Sequence, residues 1–127
     1  MVRSKLIFIV DDDPLINSLV VERFTSKGYE LAAFESGEEC VDALDRNPSL
    51  IILDYLFTRE NRTYTNGMEI FNKIKEIRPD IPVIMLSGQD NGEIVLELAR
   101  KGIDDYVIKD NNLIDNLDTA IKELLSR

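Results

Sequence analysis

Leu6-Ile7-Phe8-Ile9-Val10-Asp11-Asp12-Asp13-Pro14 is the stretch on which the reading of this chain turns. Its first five residues are a short, unbroken apolar run, the pattern of a strand covered on both faces rather than on one. Three acids stand at the carboxyl end of that run. Asp13-Pro14 then reads as the N-cap and first position of a helix, because proline has no N–H to lose there and its φ already suits the turn. Strand, acidic turn and helix follow one another within a few residues.

The same alternation continues outward. Ile16, Leu19, Val20 and Phe24 recur at helical spacing, and Gly28 ends that helix. Tyr29 to Phe34 is a second short strand. Ser36 and Glu39 form a capping-box pattern that opens a helix carrying Cys40, Val41 and Leu44. Leu50-Ile51-Ile52-Leu53 is a third apolar run, ending in Asp54. After a polar stretch from about Thr58 to Asn66, Gly67 begins a helix with Ile70, Phe71, Ile74 and Ile77 on one face, and Pro79 stops it. Ile81 to Leu86 is a fourth strand. Ile94, Val95 and Leu98 mark a fourth helix, with Gly102 at its C-terminus, and Tyr106-Val107-Ile108 is a fifth strand. Leu117, Ile121, Leu124 and Leu125 line a last helix.

Five strands alternating with five helices require crossover connections, and hence a mostly parallel sheet with helices on both faces. The expected fold is α/β, a doubly wound five-stranded sheet in the flavodoxin-like order 2-1-3-4-5. With 127 residues, 44% of them hydrophobic, the chain suits one domain spanning residues 1–127. No apolar run reaches the ~20 residues that span a bilayer, and Met1 to Lys5 is too short for a signal peptide, so no membrane association is expected.

Charge and composition narrow the chemistry. A formal net charge of −9 argues against sequence-independent binding of nucleic acid, which needs basic clusters, and suits a divalent cation or a basic protein partner. The absence of histidine excludes a histidine-based triad and imidazole metal sites. The single cysteine, Cys40, permits no internal disulfide and points to a reducing, cytoplasmic setting; on its helix it reads as a small core hydrophobe. Carboxylates, hydroxyls and lysine must carry whatever chemistry exists.

In an open parallel sheet, ligands sit at the carboxyl ends of the strands, near the switch in strand order. The residues at those ends are Asp11, Asp12 and Asp13, then Asp54, then Ser87-Gly88, then Lys109. Crowded carboxylates repel and are driven towards protonation unless a cation compensates. An all-oxygen set without histidine suits a hard ion such as Mg²⁺, which uses one or two carboxylates together with a phosphate oxygen.

Four segments together resemble the response-regulator receiver family over nearly the whole chain. They are Ile9-Val10-Asp11-Asp12-Asp13-Pro14, Ile52-Leu53-Asp54, Val83-Ile84-Met85-Leu86-Ser87-Gly88, and Asp105-Tyr106-Val107-Ile108-Lys109. Each alone is weak; in order, each at a strand end, they are specific. The resemblance implies that Asp54 is the phosphoacceptor, and that Asp11, Asp12, Asp54 and the backbone carbonyl of Leu56 hold Mg²⁺ or Mn²⁺. It implies that Ser87 hydrogen-bonds the phosphoryl group, that Lys109 pairs with the phosphoryl group or with Asp54, and that Ser87 and Tyr106 form the switch. The donor would be a phosphohistidine on a histidine kinase or histidine phosphotransfer protein. The output would go to a downstream effector protein or a fused domain absent from this chain, through the face of the fourth helix, fifth strand and fifth helix. Catalysis would be confined to the chain's own phosphoryl transfer and dephosphorylation.

Three departures from the family pattern stand out. Residues 57–66 make a long polar loop after Asp54, with Arg59 and Arg62 within it. Asp110 follows Lys109 where the family usually has proline after a cis bond; a non-proline cis bond costs about 2.5–4 kcal/mol, so a trans bond is expected. Leu56 places an apolar side chain beside the path of hydrolytic water, which implies slow self-dephosphorylation. The alternative function is a phosphorylation-independent protein-interaction module on the same fold. A flavin-binding protein would want a Gly/Ser/Thr-rich phosphate loop where this chain has Asp11-Asp12-Asp13, and an aspartyl-phosphate phosphatase would want Thr where Leu15 stands.

Overall fold

Each of the apolar runs becomes a parallel strand. The computed structural model describes residues 4–55, 67–88 and 92–126. In chain order the elements are β1 (Leu6–Val10), α1 (Pro14–Thr25), β2 (Glu30–Phe34), α2 (Gly37–Asp42), a 3-10 turn at Leu44–Arg46, β3 (Leu50–Asp54), α3 (Gly67–Ile77), β4 (Val83–Ser87), α4 (Gly92–Arg100), β5 (Asp105–Ile108) and α5 (Leu113–Leu125). The sheet order is β2-β1-β3-β4-β5. All four pairings are parallel, with Ile7 beside Leu50, Leu53 beside Met85 and Met85 beside Tyr106.

Strand alternation divides the core into two layers. Phe8, Val10, Ile51, Leu53, Val83 and Met85 pack beneath α2, α3 and α4 with Cys40, Phe71, Ile74 and Leu98. Ile7, Ile9, Leu50, Ile52, Ile84 and Leu86 pack beneath α1 and α5 with Val20, Phe24, Leu117 and Ile121. The central strands are therefore buried on both faces, as their unbroken apolar sequences require.

The helix starts follow local chemistry. Asp13 is the N-cap of α1, with its side chain accepting from Leu15 N–H at 2.9 Å and Pro14 in the first helical position. Ser36 caps α2 by accepting from Glu39 N–H at 3.2 Å. Gly28 and Gly102 follow α1 and α4 with φ of 98° and 87°, a region closed to most side chains.

Some boundaries and faces differ from the sequence reading. The fourth strand starts at Val83 rather than Ile81 and runs on through Ser87, although Ile81 is buried just before it. Ile77 is 46% exposed, because α3 ends there and its buried face is complete with Ile74. On α1 the most buried positions are Asn17, Val20 and Phe24, so a polar residue shares the inward stripe.

Topology fixes where a site can form. The chain passes from β1 outward to β2, then returns across β1 to build β3, β4 and β5. The helices that follow β1 and β3, α1 and α3, lie on opposite faces of the sheet, the arrangement that leaves a crevice between the carboxyl ends of these neighbouring strands.

Candidate functional site at the carboxyl edge of the sheet

At the β1–β3 crevice the structure brings together Asp11, Asp12 and Asp54. Each offers a carboxylate oxygen, and these oxygens lie within 4.8 Å of one another. All three residues are buried, Asp11 completely. Two of these carboxylates share one cation: Lys109 Nζ lies 2.7 Å from Asp11 Oδ2 and 2.9 Å from Asp54 Oδ1. Asp11 Oδ1 accepts the backbone N–H of Asp13 at 2.9 Å.

Burial sets the electrostatics. It pushes the Asp54 carboxyl up to about 7, with the Asp11 charge adding to the effect and Lys109 only partly offsetting it. Burial likewise raises Asp11, against the pull of Lys109 and the Asp13 N–H. For Lys109 burial works against the charged form, yet its contacts with Asp11 and Asp54 outweigh that and hold it above the ordinary lysine value. Three clustered carboxylates facing one ammonium remain short of positive charge, so the donor set fits a hard divalent cation.

The remaining residues approach from the neighbouring strands. Ser87 ends β4, is buried, and accepts the Lys109 backbone N–H at 2.9 Å through its carbonyl, so the β4 and β5 ends are tied beside the crevice. Tyr106 is not among the clustered groups; it lies half-buried on β5 beside Met85, packed against the layer beneath α3 and α4. Leu56, Arg59, Arg62 and the rest of the long loop lie outside the described residues.

Among the described residues no peptide bond is cis, so Lys109–Asp110 is trans as expected. Asp110 does not join the carboxylate cluster. Its Oδ1 accepts from Asn112 N–H at 2.8 Å, while its N–H donates to Ile108 O at 3.0 Å and its carbonyl accepts from Leu113 N–H at 3.1 Å. The acid is spent on shaping the turn that leads into α5.

Two residues matter more here than their sequence context announced. Gly67 N–H donates to Tyr55 O at 2.6 Å, and a Cβ at Gly67 would collide with Asp54 O and come within 2.9 Å of Tyr55 Cα. Only glycine lets the start of α3 meet the end of β3 this closely. We predict that Gly67→Ala costs about 1–3 kcal/mol, the usual range for overpacking, and shifts the Asp54 backbone. Urea denaturation, with the Asp54 amide resonance as a local reporter, checks both. The second residue is Asn17, whose signal was a polar residue on an otherwise apolar helix stripe.

An open parallel sheet in the order 2-1-3-4-5, with a carboxylate cluster and a lysine at the carboxyl ends of its strands, defines a doubly wound α/β domain of the flavodoxin-like class. The chain belongs to the response regulator receiver domain family, whose model matches residues 7–122. It is 32% identical over 109 residues to the phosphate regulon transcriptional regulatory protein PhoB of Pseudomonas aeruginosa, covering 84% of this chain and 45% of that protein. Among solved structures, the BeF3-activated receiver domain of DrrB from Thermotoga maritima superposes with a TM-score of 0.83 at 31% identity, covering 98% of this chain and 99% of that one. TrrA from the same organism, in complex with Mg(2+)-BeF, gives a TM-score of 0.79 at 31% identity over 95% and 99% of the two chains. The chain spans less than half the length of the first curated relatives it matches. Among the described residues no helix is long and apolar enough to cross a membrane.

Proposed function

We propose that this receiver domain is a phosphorylation-activated switch that accepts a phosphoryl group on Asp54. The observation that carries the reading is Lys109 Nζ held between Asp11 and Asp54 within the carboxylate cluster. It supports the reading because the Asp54 carboxylate lies beside a cation and next to acids that suit a divalent metal.

Asp11, Asp12 and Asp54 would hold Mg²⁺ or Mn²⁺, with the Leu56 carbonyl as a further ligand on the strength of the family resemblance. When bound, the ion supplies charge neutralisation for an incoming phosphoryl group. An ionised Asp54 oxygen attacks the phosphorus of a phosphohistidine on a histidine kinase or phosphotransfer protein. The O–P bond forms as the P–N bond breaks, and the electron pair leaves on the imidazole, which takes a proton from solvent. Lys109 transfers its interaction to a phosphoryl oxygen, and the Ser87 hydroxyl donates to another. Ser87 and Tyr106 then shift a pre-existing equilibrium of the α4-β5-α5 face, which an effector protein or fused domain reads. The Mg(2+)-BeF complex of TrrA supports a cation and a phosphoryl-like group sharing such a site. Catalysis is confined to the chain's own phosphoryl group, in a cytoplasmic setting. Leu56 makes its hydrolysis slow.

Intact mass after incubation with acetyl phosphate, with and without Mg²⁺, tests the reading. The parent should gain one phosphoryl group only with Mg²⁺, and Asp54→Asn should gain none. A folded parent that binds Mg²⁺ yet gains no mass would instead favour the phosphorylation-independent interaction module.

A further inference from the structure

Asn17 lies one helical turn before Val20 and two before Phe24 on the buried stripe of α1. It is only 6% exposed. Its Nδ2 donates to Asp11 O at 2.8 Å and to Phe34 O at 3.3 Å. The Asp11 N–H donates to the same Phe34 carbonyl at 3.0 Å. Both backbone groups of Asp11 are thus committed to a junction closed by one side chain. The backbone N–H of Asn17 also donates to Asp13 O at 3.2 Å, so this residue grips the acidic turn at two points.

Asn17 Oδ1 is buried with no hydrogen-bond partner. Turning the amide over would set that oxygen against two carbonyls, so the orientation shown is the one that satisfies the donor. An apolar residue would fill the same stripe without burying an unpaired oxygen. The junction gives the amide a purpose that packing does not.

We infer that Asn17 is a positioning residue that aims the Asp11–Asp12 acid pair at a divalent cation. The inference rests on the reading of these acids as metal ligands. The carbonyl that Asn17 holds belongs to the peptide joining Asp11 to Asp12, and that peptide is planar. Holding the oxygen therefore fixes the plane from which the Asp12 side chain departs. Mg²⁺ is sensitive to such aim because it demands near-octahedral geometry, whereas Ca²⁺ accepts a looser shell. Groups that orient metal ligands are typically worth about 10–100-fold in metal affinity.

The test is calorimetric titration of the full chain with Mg²⁺ and, separately, with Ca²⁺, on the parent and on Asn17→Leu, with circular dichroism as the check on folding. Asn17→Leu should weaken Mg²⁺ binding about tenfold or more and weaken Ca²⁺ binding distinctly less. Unchanged Mg²⁺ affinity would overturn the inference, and so would an equal loss for both ions, which would signify general loosening. If Asn17→Leu does not fold, Asn17→Ala carries the same expectation and the same refutation. A folded parent that binds neither ion would overturn the metal reading of the site, and this inference with it.

Discussion

Lys109→Met is expected to destabilise the metal-free protein by about 3–5 kcal/mol at pH 8, the usual cost of removing one partner from a buried ion pair. The lysine side chain is 20% exposed, while those of Asp11 and Asp54 are 0% and 3% exposed, so water screens the remaining charges poorly. Methionine fills much of the lysine stem's volume, which leaves the charge as the main loss. Saturating Mg²⁺ should return much of the stability, since a ligand at a hundred times its Kd contributes about 2.7 kcal/mol. Urea denaturation in EDTA and in Mg²⁺ measures both effects. A variant with the parent's urea midpoint in EDTA would show that Lys109 does not hold the carboxylates together.

The metal-free domain should lose stability as pH rises through the range in which Asp54 ionises. In the folded state burial holds its proton up to about 7, while the unfolded carboxyl releases it near 3.8. Between these values the native state binds more protons than the unfolded chain, so stability falls with rising pH across the window and levels off above it. A displacement from 3.8 to about 7 corresponds to a contribution on the order of 4 kcal/mol. Other carboxylates titrate in the same range, so the quantity to measure is the difference between the parent and Asp54→Asn in EDTA. Near pH 4 the two should be similarly stable, and by pH 8 the variant should be the more stable. With Mg²⁺ present the parent's trend should reverse, because the ion needs ionised ligands and binds more tightly as pH rises. A parent–variant difference that does not change with pH would mean that Asp54 is not strained by burial.

Much of the architecture was legible because its causes are local. Five apolar runs, the Asp13-Pro14 start, the Ser36 cap and the glycines after α1 and α4 each act within a few residues, and all appear where the periodicity puts them. Element ends were less legible. Whether Ile81 or Val83 opens β4 depends on its partner Ile51, and whether Ile77 is covered depends on how far α3 overlies the sheet.

The sequence by itself determined which residues stand at the strand ends, and therefore that acids, a hydroxyl and a lysine would occupy one edge of a parallel sheet. The resemblance of its four segments to receiver domains attached expected roles to them. Only the tertiary structure decided the rest. It placed Lys109 against Asp11 and Asp54 and drove Asp54 to about 7 by burial. It turned Asp110 towards its own loop, made Gly67 the contact at the back of Asp54, and set Asn17 beneath the acid pair. The reason is physical. Caps and periodicity are short-range, whereas the distance between residues far apart in the chain, and the water removed from between them, are set by strand order and by every layer that covers the sheet.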